Sequence, residues 1–149
     1  MTLTIQPARP TDAPDISSLL DANHLCLDGV SERIDTTLIA LDGNRLVGTA
    51  ALELFPDGAL LRSVAVVPEL RGSHIGHDLV TGVLSLAAER SIGDVYLLTT
   101  TAERYFPRFG FERITREVVP EGVRQSAEFV SGCPTTAVVM RAPVATRLA

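Results

Sequence analysis

The chain has 149 residues, 46% apolar and 21% charged, which is ordinary globular usage and excludes a disordered or fibrous class. That length bounds the expectation to one domain, residues 1–149, able to bury a sizeable apolar core. A formal charge of −5 with no basic cluster excludes a nucleic-acid footprint, which needs Lys and Arg gathered on one face, and suits a cationic or amine partner better.

"TLTIQPA" alternates apolar and polar residues and predicts a first strand. "TDAPDISSLLDANHL" predicts a helix, with Thr11 as its N-cap, Asp12 and Asp15 in its first turn, and Ile16, Leu19 and Leu20 on one face. Residues 26 to 35 have no clear period and read as an irregular connection. Three runs follow, "TTLIALD", "RLVGTAALELF" and "ALLRSVAVV", separated by "DGN" and "PDG", whose residue types make tight hairpins; they predict a strand meander. Residues 72 to 91 carry Ile75, Leu79, Val83 and Leu86 on one helical face, flanked by Val80, Leu84 and Ala87. "DVYLLTT" predicts a buried strand, "AERYFPRFG" a short helix ended by Gly110, and "FERITREVV" another strand. A weak helix after Pro120 and a last strand, "TTAVVMRA", complete a mixed α/β order with no repeat or linker.

The N-terminus has no charged region followed by an apolar stretch, and no apolar run nears the roughly 18 residues of a membrane helix, so the expectation is a cytoplasmic protein without membrane contact. Cys26 and Cys133 lack metal-ligand spacing, and no metal site or disulfide framework is expected.

The stretch with chemistry in it is "PELRGSHIG", residues 68 to 76, between a strand and a helix. The first N–H groups of a helix have no intrahelical partner, and the helix dipole adds about half a positive charge there, so the loop suits phosphate. A plain tight turn between strand and helix is the alternative.

These residues resemble the GNAT-type N-acetyltransferases, whose acetyl-CoA loop follows R/Q-x-x-G-x-G/A; Arg71, Gly72, Ser73, His74, Ile75 and Gly76 fill that pattern, with His74 on the first glycine position. "VAVVP", Val64 to Pro68, resembles the family's fourth strand, and the element order follows the family through the "GF" at Gly110 and Phe111. The resemblance implies a mostly antiparallel sheet splayed at strands 4 and 5 with helices on both faces, and acetyl-CoA as cosubstrate. It also implies that the N–H groups of Gly72 to His77 hold the pyrophosphate and that the backbone of Val64, Ala65 and Val66 holds the pantetheine and acetyl carbonyl. A backbone donor does not depend on its side chain, so His74 is compatible with the loop if its φ is negative and its ring points outward. Its ring, like that of His77, is then either a solvated bystander or a further phosphate donor.

Many family members supply a proton to the departing thiolate from a tyrosine four residues before the glycine of "GF". Here that position is Phe106. Tyr105 stands about 100° round a regular helix, although Pro107 disfavours regular geometry at Phe106. Tyr105 is therefore either a replacement acid or a packed aromatic. A thiol leaves with a pKa of about 8.5, so unassisted departure is not prohibitive. Thr99, Thr100 and Thr101 end the fifth strand and either orient a water or the pantetheine amides, which places Thr100 with the cofactor-binding set, or are ordinary β-branched strand residues. Glu53 is the candidate base, acting on an ammonium through water, with a solvated strand glutamate as the alternative. Arg62, in phase with Val64 and Val66, meets a substrate carboxylate or makes a surface salt bridge.

"LLTTTAERYFPRFGF", "VPEGVRQSAEF" and "CPTTAVVM" are together similar to the small acetyltransferases associated with arsenic-resistance operons. That similarity implies a small amine-bearing acceptor of the kind of an amino-acid-like organoarsenical or a related glutamate mimic. Two other readings stand beside it: a catalytically weak acetyl-CoA-binding module, and acetylation of a protein amine. A homodimer through C-terminal strands is implied by the family resemblance alone.

Overall fold

A computed structural model describes residues 3–127, 129–130 and 137–144. Seven strands, β1 (Leu3–Pro7), β2 (Thr37–Asp42), β3 (Arg45–Phe55), β4 (Gly58–Val66), β5 (Asp94–Thr99), β6 (Glu112–Ile114) and β7 (Val138–Pro143), form one sheet in the order β1-β2-β3-β4-β5-β7-β6. The α-helices are α1 (Ala13–Ala22), α2 (Ile75–Glu89) and the short α3 (Glu121–Arg124). This is the mixed α/β fold expected from the element order, with the mostly antiparallel sheet that the resemblance implies. β4 and β5 are the parallel pair, in register at Ala59–Val95 and Leu60–Tyr96.

Packing groups the chain into two units, Met1–Leu52 with Arg62–Val83, and Glu53–Leu61 with Leu84–Ala149. In the first, β1 pairs antiparallel with β2 and β2 with β3, with an irregularity between Ala40 and Leu41. Ile75, Leu79, Val80 and Val83 of α2 are buried, as the helical period demands. The helix seats so closely that a Cβ on Gly48 would lie 2.9 Å from Leu79 Cδ1, and one on Gly82 2.7 Å from Leu38 Cδ1. A Cβ at either position would make the facing leucine methyl shift.

In the second unit β7 runs antiparallel between β5 and β6, from Asp94–Pro143 to Thr99–Val138 on one side and from Glu112–Arg141 to Ile114–Val139 on the other. Among the described residues β6 lies at this edge of the sheet. Leu60, Tyr96, Val119, Val123 and Val139 form a buried cluster here, with Phe55, Leu98, Ile114 and Phe129 against it.

Two local expectations need correction. Thr11 does not cap α1: it lies in a 3-10 turn, Pro10–Asp12, and Asp12 takes the N-cap position. Its carboxylate turns back instead to Arg9, accepting from the backbone N–H at 2.7 Å and from Nε at 3.2 Å. "FERITREVV" is a strand only over its second to fourth residues, because β7 begins at Val138, opposite the region where β6 stops. Arg116–Val118 forms a 3-10 turn that delivers Val119 to the core.

The Arg9 hydrogen bond holds the buried Asp12 carboxyl below the usual carboxylate range. A depressed carboxyl contributes stability that is present above its unfolded pKa, about 3.9, and lost as pH falls through the folded value. Asp12→Asn is thus expected to be less stable than the unaltered chain at pH 7, with the difference shrinking below about pH 4. Urea unfolding at pH 7 and pH 3 checks this; an undiminished difference at pH 3 contradicts it.

Candidate active site

The first unit holds the end of β4 and the loop into α2. After Val66 the chain makes a 3-10 turn, Pro68–Leu70, and Arg71 extends with φ −64° and ψ 140°. Gly72 follows at φ +86° with open space where a Cβ would stand. Ser73 Oγ donates to the Leu70 carbonyl. The first bond of α2 runs from Asp78 N–H to the His74 carbonyl at 3.0 Å. The N–H groups of Ile75, Gly76 and His77 thus precede the helical ladder, as they must at any helix start. Arg71 is tied down at both ends, with Nε donating to the Val66 carbonyl at 3.3 Å and Nη2 to Asn23 Oδ1. Residues 71 to 74 are all exposed. In the loop itself the N–H groups of Arg71 and Ser73 bond back to the Pro68 and Leu70 carbonyls, both at 3.3 Å, so the donors that suit an anion are those at the start of α2, from Ile75 onward, behind the exposed residues 71 to 74.

His74 corrects one expectation. Its φ is +69°, not negative, so this is a position where glycine would sit without strain, and a side chain costs about 1–2 kcal/mol. The ring is nonetheless exposed and meets His77 edge-on at 5.8 Å between centroids. The cost of this conformation is carried by the residue itself. Replacing His74 by glycine is expected to stabilise the fold by about 0.5–1 kcal/mol, the relief of strain less the entropy that glycine adds to the unfolded chain. Acetyl-CoA affinity should remain within about threefold. Urea unfolding and calorimetric titration check both, and a destabilised variant contradicts the account.

β4 carries a second left-handed residue, Ser63 at φ +60°. Such a residue interrupts the alternation of a strand, as a bulge does, so Arg62 cannot be placed by simple phase with Val64 and Val66. Nor is Arg62 on the surface. Its side chain is fully buried, and Nη2 donates to Asp28 Oδ1 at 3.0 Å, while the Asp28 side chain is 46% exposed. The segment 26 to 35 that supplies Asp28 is irregular as expected, closing in a 3-10 turn at Ile34–Thr36. Val64 and Val66 are partly buried and Ala65 is buried.

The second unit holds Glu53, Thr100 and Tyr105. Glu53 is half-buried, and the hydroxyl of Ser126, itself 2% exposed, donates to its Oε1 at 2.7 Å. The carboxylate is thus held through one oxygen while the residue remains half-exposed. Thr99 uses its hydroxyl oxygen locally, accepting from the N–H groups of Thr101 at 3.3 Å and Ala102 at 2.9 Å, which leaves Thr100 exposed at the turn. The short helix after it is a 3-10 turn, Phe106–Phe109, ended by Gly110 at φ +93°. Phe106, on the usual tyrosine position, is buried against Phe111 at 5.8 Å. Tyr105 is half-buried, edge-on to Phe106 and Phe109 at 5.3 and 5.4 Å. The Arg108 guanidinium carbon lies 4.3 Å over its ring, steadied by a 2.7 Å bond from Nε to the Tyr105 carbonyl.

Asn23, Asp28, Ser63 and Ser126 were not legible as site neighbours. Each acts through a contact distant in sequence or through a backbone conformation that its residue type does not demand. Among the described residues no group of three His, Cys, Asp or Glu side chains is placed to hold a metal ion, and no helix is long and apolar enough to cross a membrane. Cys26 is half-buried, whereas Cys133 lies outside the described residues.

The model of the GNAT acetyltransferase domain family matches residues 33–113, more than half the chain. The chain belongs to the GNAT acetyltransferases. An amino-acid acetyltransferase of Mycobacterium tuberculosis is 32% identical over 135 residues, covering 80% of this chain and 77% of the relative. That of Aeromonas salmonicida is 33% identical over 77% of this chain, yet this chain spans only 29% of that longer protein. Among solved structures, Rv2747 from Mycobacterium tuberculosis in complex with CoA superposes with a TM-score of 0.80 at 26% identity, over 94% of this chain and 98% of the other. N-acetylglutamate synthase from Neisseria gonorrhoeae, complexed with coenzyme A and N-acetyl-glutamate, gives 0.82 at 21% identity, over 97% of this chain and 35% of that one. The protein is thus a GNAT-type acyltransferase that uses acetyl-CoA to acetylate nitrogen. None of these relatives is named for arsenic resistance.

Proposed function

We propose that this GNAT enzyme acetylates the primary amine of a small, amino-acid-like acceptor. The observation that carries the reading is Arg62, a buried guanidinium on β4 two residues before Val64, in a chain whose relatives include amino-acid acetyltransferases. Arginine is the residue best suited to a carboxylate, because its fork of donors matches the two oxygens. On this reading Arg62 takes the acceptor's carboxylate and Glu53 accepts a proton from its ammonium through water, with Ser126 fixing the carboxylate. The freed nitrogen attacks the thioester carbonyl, the N–C bond forms and the C–S bond breaks, and the nitrogen's second proton leaves to water, which restores Tyr105 if that residue protonates the thiolate. The thiolate takes its proton from Tyr105 or leaves as the anion.

The backbone N–H groups of Gly72 to His77, with Arg71, hold the coenzyme's pyrophosphate. Val64, Ala65, Val66 and Thr100 hold the pantetheine arm and thioester, whose activated acetyl group is what the coenzyme supplies. An organoarsenical that mimics an amino acid presents the same amine and acid and belongs to the same acceptor class. The test is a panel of amino acids, their amides, amino-acid-like organoarsenicals and peptides, incubated with acetyl-CoA and read by mass spectrometry. Acetylated free amino acids or their arsenical mimics support the reading; acetylation of peptides alone overturns it in favour of a protein amine. A homodimer, if formed by strand pairing at the C-terminal side, uses β6, and sedimentation of the purified chain tests it.

A further inference from the structure

Arg71 is an exposed cation held by two oxygens, neither of which carries a charge. Nε donates to the Val66 carbonyl at 3.3 Å, and Nη2 donates to Asn23 Oδ1. Among the described residues no carboxylate is paired with it, and Glu69, which lies nearby in the same loop, accepts from Arg45 Nη2 at 3.2 Å instead. We propose that Asn23 is a positioning residue for the coenzyme, which fixes the direction of the Arg71 guanidinium and, being neutral, leaves that charge to the pyrophosphate. The inference rests on the assignment of Arg71 to the pyrophosphate.

Asn23 caps the C-terminal end of α1. Its N–H reaches the Leu19 and Leu20 carbonyls at 3.2 and 3.1 Å, His24 follows at φ +59°, and the Leu25 N–H returns to the Leu20 carbonyl at 2.9 Å. The side-chain Nδ2 donates to the Leu19 carbonyl at 2.8 Å. With the donor half of the amide used on the helix, the acceptor half is the part turned to Arg71. The amide is thus held at both ends, and its place comes from the helix and not from the loop that it steadies. Aspartate could not take this role. Its carboxylate has no donor for the Leu19 carbonyl, would stand at the negative end of the helix dipole, and would answer the guanidinium's charge before the coenzyme arrives. A guanidinium has five N–H donors, and the bonds to Val66 and Asn23 take the one on Nε and one on Nη2. Those that remain lie on Nη1 and Nη2, a fork that suits phosphate oxygens. The backbone N–H groups of Arg71 and Ser73 are turned back to the Pro68 and Leu70 carbonyls, so this side chain brings to the loop an attraction for anions that those two donors do not.

The experiment is a double-mutant cycle, which isolates the coupling between two side chains. Acetyl-CoA is titrated calorimetrically, at about 0.05 M NaCl where exposed charges are least screened, into the unaltered chain, Asn23→Ala, Arg71→Met and the double variant. Arg71→Met is expected to weaken binding roughly 10- to 100-fold, the worth of a charge-assisted hydrogen bond. Asn23→Ala is expected to weaken it roughly two- to tenfold, the cost of ordering a long side chain on binding, and to change nothing once Arg71 is methionine. Asn23→Asp, which keeps an acceptor for Nη2 but adds a charge, is expected to bind more weakly than Asn23→Ala. A purely structural role for Asn23 at the end of α1 predicts the same loss with or without Arg71. That result, or no loss in Asn23→Ala while Arg71→Met does lose affinity, overturns this inference alone. Binding by Asn23→Asp as tight as that of Asn23→Ala or tighter overturns the need for a neutral partner, and so the proposal. Unchanged affinity in Arg71→Met overturns the assignment of Arg71 to the pyrophosphate and this inference with it. Should Asn23→Ala fail to fold, Asn23→Ser, which keeps a donor for the Leu19 carbonyl, takes its place in the cycle.

Discussion

Replacing Glu53 by glutamine is expected to lower kcat/KM for the amine acceptor by roughly 10²- to 10⁴-fold, the usual worth of a positioned general base, with the acetyl-CoA dissociation constant unchanged. Glutamine keeps the shape of the side chain and an oxygen for the Ser126 hydroxyl, which donates at 2.7 Å, so packing is conserved while the capacity to take a proton is lost. The loss should shrink as pH rises, because a larger share of the acceptor then arrives already deprotonated. Steady-state rates from pH 6.5 to 9.5 check this. A variant with unaltered kcat/KM would show that the amine reaches the thioester without help from Glu53.

Phe111→Ala is expected to destabilise the fold by about 3–5 kcal/mol, the cost of losing a large apolar side chain together with the cavity it leaves. Phe111 is 2% exposed and packs edge-on against Phe106, which in turn packs against Tyr105 and Phe109. Set against a typical total stability of about 5–15 kcal/mol, that loss would leave a variant near its unfolding transition at body temperature. Urea unfolding measures it directly. A loss below about 1 kcal/mol would mean that the surrounding rings collapse into the space, and that Tyr105 is not held by this cluster. Phe106 itself is buried in this aromatic cluster, where a hydroxyl would need a partner.

The parts of the fold that were legible in the sequence are those fixed by local patterning. β3 falls between the turns "DGN" and "PDG" and β4 follows the second of them, and α2 carries its apolar stripe at helical spacing from Ile75 onward. The coenzyme loop was legible because Arg71, Gly72 and Gly76 stand between a strand and a helix. What could not be read there was the sign of φ at His74: histidine imposes no such conformation, and the value of +69° is set by the path of the chain from Arg71 into α2. Ser63 is a similar case, and it breaks the strand phase on which Arg62 had been placed. Placement of β7 between β5 and β6 depends on pairing between distant segments, which periodicity does not encode. The Asp28–Arg62 and Glu53–Ser126 contacts likewise join residues 34 and 73 apart in sequence, and no spacing rule links them.

The most direct test of the account is the rate of coenzyme A thiol release from acetyl-CoA by the purified chain, with and without a saturating amino acid. The account predicts release that is saturable in the amino acid and well above the rate without it. Saturable acetyl-CoA binding accompanied by thiol release no faster with any amino acid than with none would contradict it.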